Sequence, residues 1–141
     1  MRLVLNTTVL SELCHPRQGS EVKLWLRGLA RIRQHEVFLP EIADYELRRK
    51  LLHIGSRAGL RALDVLPERE VSYLPITSAV MRDAAALWAA LRTAGLPVAD
   101  DKALGADVIL AAQARAVGAA VVTDNMRHIE RMVPAVRWQD V

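Results

Sequence analysis

Apolar residues recur along this chain in two rhythms. Short runs rich in apolar residues, Leu3-Val4-Leu5, Val37-Phe38-Leu39, Val71 to Pro75, Ala119 to Thr123 and Val136 to Trp138, have the length of buried strands. Between them apolar positions fall at helical spacing. The first such stretch carries Val9, Leu10 and Leu13. After a turn at His15 to Gly19, Ser20 caps a second helix with Val22, Leu24, Trp25, Leu26, Leu29 and Ile32 as its stripe. Further helices are predicted from Glu41 towards Gly55, from Ser56 to Leu66 with Pro67 as the stop, and from a Thr77 or Ser78 cap through Ala84, Leu87, Trp88 and Leu91 to Gly95. A loop through Pro97, Asp100 and Asp101 precedes a helix over Leu104 to Val117, and a short one covers Met126 to Met132. Strands alternating with helices predict an α/β fold, a parallel sheet between helical layers joined by right-handed crossovers.

The 141 residues suit one domain, 1–141, and an apolar content of 52% is enough for a continuous core. No apolar run approaches the roughly 20 residues that cross a bilayer, and the chain begins Met1-Arg2 and then strand, which together predict a cytoplasmic protein without membrane attachment. The single cysteine, Cys14, has no partner for a disulfide or a shared metal and reads as a small buried hydrophobe. A net charge of +3 favours a polyanionic partner such as RNA, though only mildly.

Candidate chemistry gathers where strands end. Asn6 follows the first strand and Thr123-Asp124 the fourth, so if these strands are neighbours both sites meet at the carboxyl edge of the sheet, where open α/β folds bind ligands. Asp107 shares a helix face with Ala111, Ala114 and Gly118, a face with little bulk that can lie against the sheet. A carboxylate poised there needs a cation or hydrogen-bond donors. Glu46 flanks the face predicted to be buried, that of Ala43, Leu47, Leu51 and Ile54. Taken singly each has an ordinary explanation: a first-turn aspartate favours the helix dipole, Glu46 pairs with Arg49 or Lys50, and Asn6, Thr7 and Asp124 cap or turn the chain. Their joint placement on one edge is what points to a site.

The stretches Leu3-Val4-Leu5-Asn6-Thr7-Thr8-Val9-Leu10-Ser11-Glu12-Leu13, Tyr45-Glu46-Leu47-Arg48, Ala106-Asp107-Val108-Ile109-Leu110-Ala111-Ala112-Gln113-Ala114 and Val121-Val122-Thr123-Asp124-Asn125, in this order, resemble the PIN-domain ribonucleases, and within them the VapC-type toxins of bacterial toxin-antitoxin pairs. The resemblance implies a three-layer α/β/α sandwich with a five-stranded parallel sheet. It implies catalytic residues at Asn6, Glu46, Asp107 and Asp124, metal ligands among these and Asn125, and Mg²⁺ or Mn²⁺ as cofactor for hydrolysis of RNA. Partners implied are an RNA substrate, a VapB-like antitoxin that masks the site, and a second copy in a homodimer. A hard divalent ion suits such a set because it takes oxygen ligands, keeps waters, and balances charge on a phosphate.

This chain departs from the family pattern at its centre. The family has aspartate where Asn6 stands, and usually asparagine where Thr8 stands; at the fourth position Asn125, not Asp124, aligns with the acidic site. Loss of one preorganised charge typically costs on the order of a hundred- to a thousandfold in rate, so the chain is expected to be nearly inactive. Thr7 and Thr123 are expected to support the site by hydrogen bonds. Arg48, Arg49 and Lys50, with Arg127 and His128, are candidates for phosphate contacts. With aromatic residues at 4%, base stacking is a poor route to recognition, and Trp25 with its leucines could instead form a groove for an antitoxin helix. The alternative is a catalytically dead domain that binds RNA or antitoxin. A phosphoacceptor receiver domain is disfavoured, since the strands end in Asn6, Pro40, Pro75 and Thr123 without the acidic pair and lysine it needs.

Overall fold

Leu3, Val4 and Leu5 are all wholly buried, which places the first strand at the centre of the sheet. The computed structural model describes residues 1–17, 20–32, 34–95 and 101–141. The turn predicted at Gln18 and Gly19, and Pro97 and Asp100 of the predicted loop, lie outside these residues. The elements are β1 (Arg2–Leu5), α1 (Thr7–Cys14), α2 (Glu21–Ile32), β2 (Glu36–Pro40), α3 (Glu41–Ile54), α4 (Arg57–Arg69), β3 (Ser72–Leu74), α5 (Ser78–Thr93), α6 (Asp101–Ala116), β4 (Ala120–Val122), α7 (Met126–Ile129), β5 (Ala135–Val136) and a closing 3₁₀ turn (Trp138–Asp140).

All five strands are parallel, in the order β3-β2-β1-β4-β5. Alternation along β1 separates the two faces. Leu3 and Leu5 point into a core shared with α1, α2, α3 and α4, whereas Val4 points into a second core with α6 and α7. On the outer side of α6, Val108 and Ala112 pack against Val80 and Ala84 of α5. Ala111 and Ala114 are wholly buried, as their lack of bulk predicted, and let α6 lie close to the sheet. Cys14 is buried in the first core, and burial pushes its thiol up to about 12, so it acts as a hydrophobe. Among the described residues no helix is long and apolar enough to cross a membrane.

The chain builds outward from β1 to β2 and β3, then returns across the sheet to β4 on the other side of β1. That reversal opens a crevice beyond the carboxyl ends of β1 and β4. Leu5 pairs with Val122, and the ladder runs one step further through Asn6 N–H to the Val122 carbonyl at 3.1 Å. Residues that follow the two strands are thereby held side by side.

Several boundaries differ from the sequence expectation. Pro67 does not stop α4, which runs to Arg69. Its missing N–H removes one bond in the last turn only, and Glu70 N–H still reaches the Leu66 carbonyl. The last strand stops at Val136, because Trp138 turns out of the sheet to pack on Trp25, ring centroids 6.3 Å apart. Asp101, expected in a loop, begins α6, and α7 ends at Ile129 rather than Met132. Leu24, Ile32, Ile54 and Trp88, expected on inward stripes, are exposed. Ile32 and Ile54 end their helices, Trp88 lies at the edge of its stripe, and Leu24 falls on the face of α2 opposite Val22, Leu26 and Leu29.

One buried side chain joins the layers. Pro40 precedes α3 and has no side-chain donor or acceptor with which to cap it. Gln113 of α6, wholly buried, supplies the cap: its Oε1 accepts from Ile42 N–H at 3.2 Å and its Nε2 donates to the Leu74 carbonyl at 2.7 Å. Glu41 Oε1 accepts from Ile76 N–H at 2.7 Å nearby. Replacing Gln113 by Met strands a buried donor and acceptor, so Gln113→Met is expected to lower unfolding free energy by about 2–3 kcal/mol, measured by urea denaturation at neutral pH.

Candidate functional site

Beyond β1 and β4 lies a cleft of about 210 Å³ lined by Asn6, Thr7, Thr8, Glu46, Asp107, Leu110, Thr123, Asn125, His128 and Ile129. It gathers Asn6, Glu46, Asp107 and Asn125, each from a different part of the chain. Asp124 is exposed and is not among the lining residues, while its neighbour Asn125 is.

Asn6 caps α1. Its Oδ1 accepts from Val9 N–H at 2.9 Å, which fixes the direction of the amide and turns Nδ2 towards Thr123, whose Oγ1 accepts at 2.7 Å. Thr123 is wholly buried, and the same oxygen accepts from Asn125 N–H at 3.0 Å. A carboxylate at position 6 would have no N–H to give; its second oxygen would accept a hydrogen bond from the Thr123 hydroxyl instead. The amide thus reverses the polarity of this bond.

The two carboxylates differ. Glu46 is held by Thr7, whose hydroxyl donates to its Oε1 at 2.7 Å, and Arg49 stands 3.9 Å from Oε2. Asp107, half-buried, receives no hydrogen bond from any described residue. Burial, and then the negative charge of Glu46, push its carboxyl up to about 6, with His128 acting in the opposite direction. Such a pair is what a divalent cation relieves, and two carboxylates with nearby amide oxygens are donors of the kind Mg²⁺ or Mn²⁺ takes. The residues present fit the ion in chemistry. Among the described residues no three His, Cys, Asp or Glu side chains are already assembled as a ligand set.

Of the predicted supports, Thr7 donates to Glu46, and Thr123 accepts from Asn6 and Asn125. The basic residues are less uniform. Arg48 turns away from the cleft to bridge Asp44 at 2.9 Å and Asp64 at 2.7 Å, with Tyr73 donating to the same Asp44 at 2.9 Å. Its guanidinium ties α3 to α4, so the phosphate contact expected of it is not what the geometry serves. Arg49 is exposed and lies over the Tyr45 ring, 5.1 Å from the centroid. Arg127 is exposed on α7. His128 lines the cleft wall near Asp107, a placement that its spacing from Asn125, one helical turn, could have indicated.

A family model described as the PIN domain matches residues 3–132. Among solved structures the chain is similar to VapBC2 from Rickettsia felis bound to a DNA fragment from their promoter, with a TM-score of 0.77 at 18% identity over 98% of this chain and 99% of that one. It is likewise similar to FitAcB from Neisseria gonorrhoeae, at a TM-score of 0.72 and 23% identity over 99% of both chains. VapBC-1 from nontypeable Haemophilus influenzae gives 0.71 and 20%, again over 99% of both. No curated protein sequence matches the chain.

Two outcomes follow from the geometry. Thr123→Val leaves the Asn6 amide and Asn125 N–H without their acceptor and should cost about 1–2 kcal/mol, most of it regained in Thr123→Ser, by thermal or urea unfolding. Asp107 has a folded pKa above its unfolded one, so its protonated form favours the fold, and stability should fall as pH rises from about 4 through about 6. Asp107→Asn removes that loss. Without divalent ions it should be more stable than the parent at pH 7.5 by about 1 kcal/mol, a figure reduced for the solvent screening of a part-exposed group, and the difference should vanish near pH 4.

Proposed function

This chain belongs to the PIN-domain family, and from that we propose that it is a VapC-like toxin, a divalent-cation-dependent endoribonuclease in which Asn6 keeps hydrolysis near zero. The carrying observation is the pairing of Glu46 with a donorless Asp107 at the switch point of the sheet, beside an amide whose oxygen is spent on a helix cap. In this reading Glu46 and Asp107 hold Mg²⁺ or Mn²⁺, with Asn125, and Asp124 from outside the cleft wall, as further oxygen donors. When bound, the ion supplies charge balance for the phosphate and for the departing oxygen. The chain's own residues do the rest. Thr7 keeps Glu46 in one rotamer, Thr123 fixes the amide of Asn6 and the loop of Asn125, and Arg49 and Arg127 meet phosphates that flank the scissile bond.

Asn6 is the reason activity is expected to be low. An aspartate there would add a negative charge and a second acceptor oxygen with lone pairs to spare for a cation; the amide adds no charge and faces Thr123 with N–H groups. The same observation favours a second reading, a binding module that retains affinity for RNA or for an antitoxin without hydrolysis. The named neighbours are VapBC and FitAcB, and their likeness supports a VapB-like antitoxin as partner; a homodimer of this chain belongs to the same proposal.

Asn6→Asp separates the two readings. With Mn²⁺ present, cleavage of a mixed-sequence RNA should rise by about a hundredfold or more over the parent chain, followed on denaturing gels, and Asp107→Asn in that background should abolish it. If Asn6→Asp cleaves no faster, the disabled-nuclease reading fails, and what remains is a binding role or a different assignment of the site.

A further inference from the structure

His128 lines the same cleft as Glu46 and Asp107 and has no role in the reading above. It projects from α7, a helix of four residues, half-exposed, and no described residue hydrogen-bonds its ring. Asp107, in the same lining, is equally without donors among the described residues, so two metal-competent groups share one cleft and no described residue engages either. The other oxygen donors are partly spent: Glu46 Oε1 takes the Thr7 hydroxyl and Asn6 Oδ1 takes Val9 N–H.

Resting on the divalent-cation reading, we propose that His128 is a ligand of the ion, and that the cleft in consequence prefers Mn²⁺ and, more strongly, Ni²⁺ over Mg²⁺. Mg²⁺ demands oxygen ligands and gives up its waters reluctantly, so a site with two carboxylates and amides at the other positions holds it weakly. An imidazole adds little for Mg²⁺. For the later divalent ions it adds a strong nitrogen donor, with affinity rising from Mn²⁺ to Ni²⁺. Glu46, Asp107 and His128 are not a closed set in this conformation; the half-exposed imidazole joins by turning about its side-chain torsions towards Asp107.

The test uses the full chain with Mg²⁺, Mn²⁺ and Ni²⁺ chlorides. Isothermal titration should give Ni²⁺ binding at least about tenfold tighter than Mg²⁺, and His128→Ala should lose about tenfold in Ni²⁺ affinity while leaving Mg²⁺ unchanged. Spin-echo modulation of bound Mn²⁺ should carry the nitrogen coupling of an imidazole in the parent and lose it in His128→Ala. His128→Asn, matched by its metal-free melting temperature, guards against a folding artefact. Ions that bind in a manner abolished by Asp107→Asn but indifferent to His128→Ala would overturn the assignment of His128 and leave the nuclease reading intact. Binding of no ion, or binding unaffected by Asp107→Asn, would overturn both.

Discussion

An asparagine side chain carries one acceptor and one donor group, and at Asn6 the fold has use for each. The free N–H of Val9 at the start of α1 claims the oxygen, so the nitrogen has a single direction left, towards Thr123. Thr123 in turn holds the backbone of Asn125. This short relay joins the ends of two neighbouring strands and sets the near wall of the cleft. An aspartate would cap the helix as well as asparagine does. What the amide changes is the charge at the site and the direction of the bond to Thr123.

The parallel register of β1 and β4 makes that relay possible. Because Leu5 lies opposite Val122, the residues that follow them emerge together, and the crevice formed where the chain reverses direction receives both. Glu46 and Asp107 arrive from helices on opposite faces of the sheet, α3 and α6, and lean over its edge from each side. Their mutual repulsion is resisted by packing: Leu47 beside Glu46 and Ala111 one turn on from Asp107 are both in the core. The site is thus held open by the apolar framework against the preference of its own charges.

Much of this could be read in the sequence because strand and helix periodicities were unambiguous and each candidate residue sat at an element boundary. Asn6, Thr7, Glu46, Asp107 and Thr123 are legible in that way. What escaped depends on partners distant in sequence. Arg48 looked like a phosphate contact, but Asp44 and Asp64 capture it, and only Asp44 lies on its own helix. Trp138 looked like strand until Trp25 drew it aside, and Pro67 looked like a stop although a last turn tolerates a missing bond. His128 is legible as a candidate one turn after Asn125, but as a phosphate contact; its place in the cleft lining with Asp107 depends on how α7 packs on α6.

The cap that Gln113 provides for α3 has a bearing on how the protein is made. Since Pro40 cannot cap its own helix start, the side-chain cap of α3 exists only once α6 has also been synthesised. Glu46 sits on α3, and its counterpart Asp107 is borne by the late helix. A nascent chain therefore exposes no assembled cleft during most of its synthesis, and the order of translation itself delays the moment at which the finished surface exists.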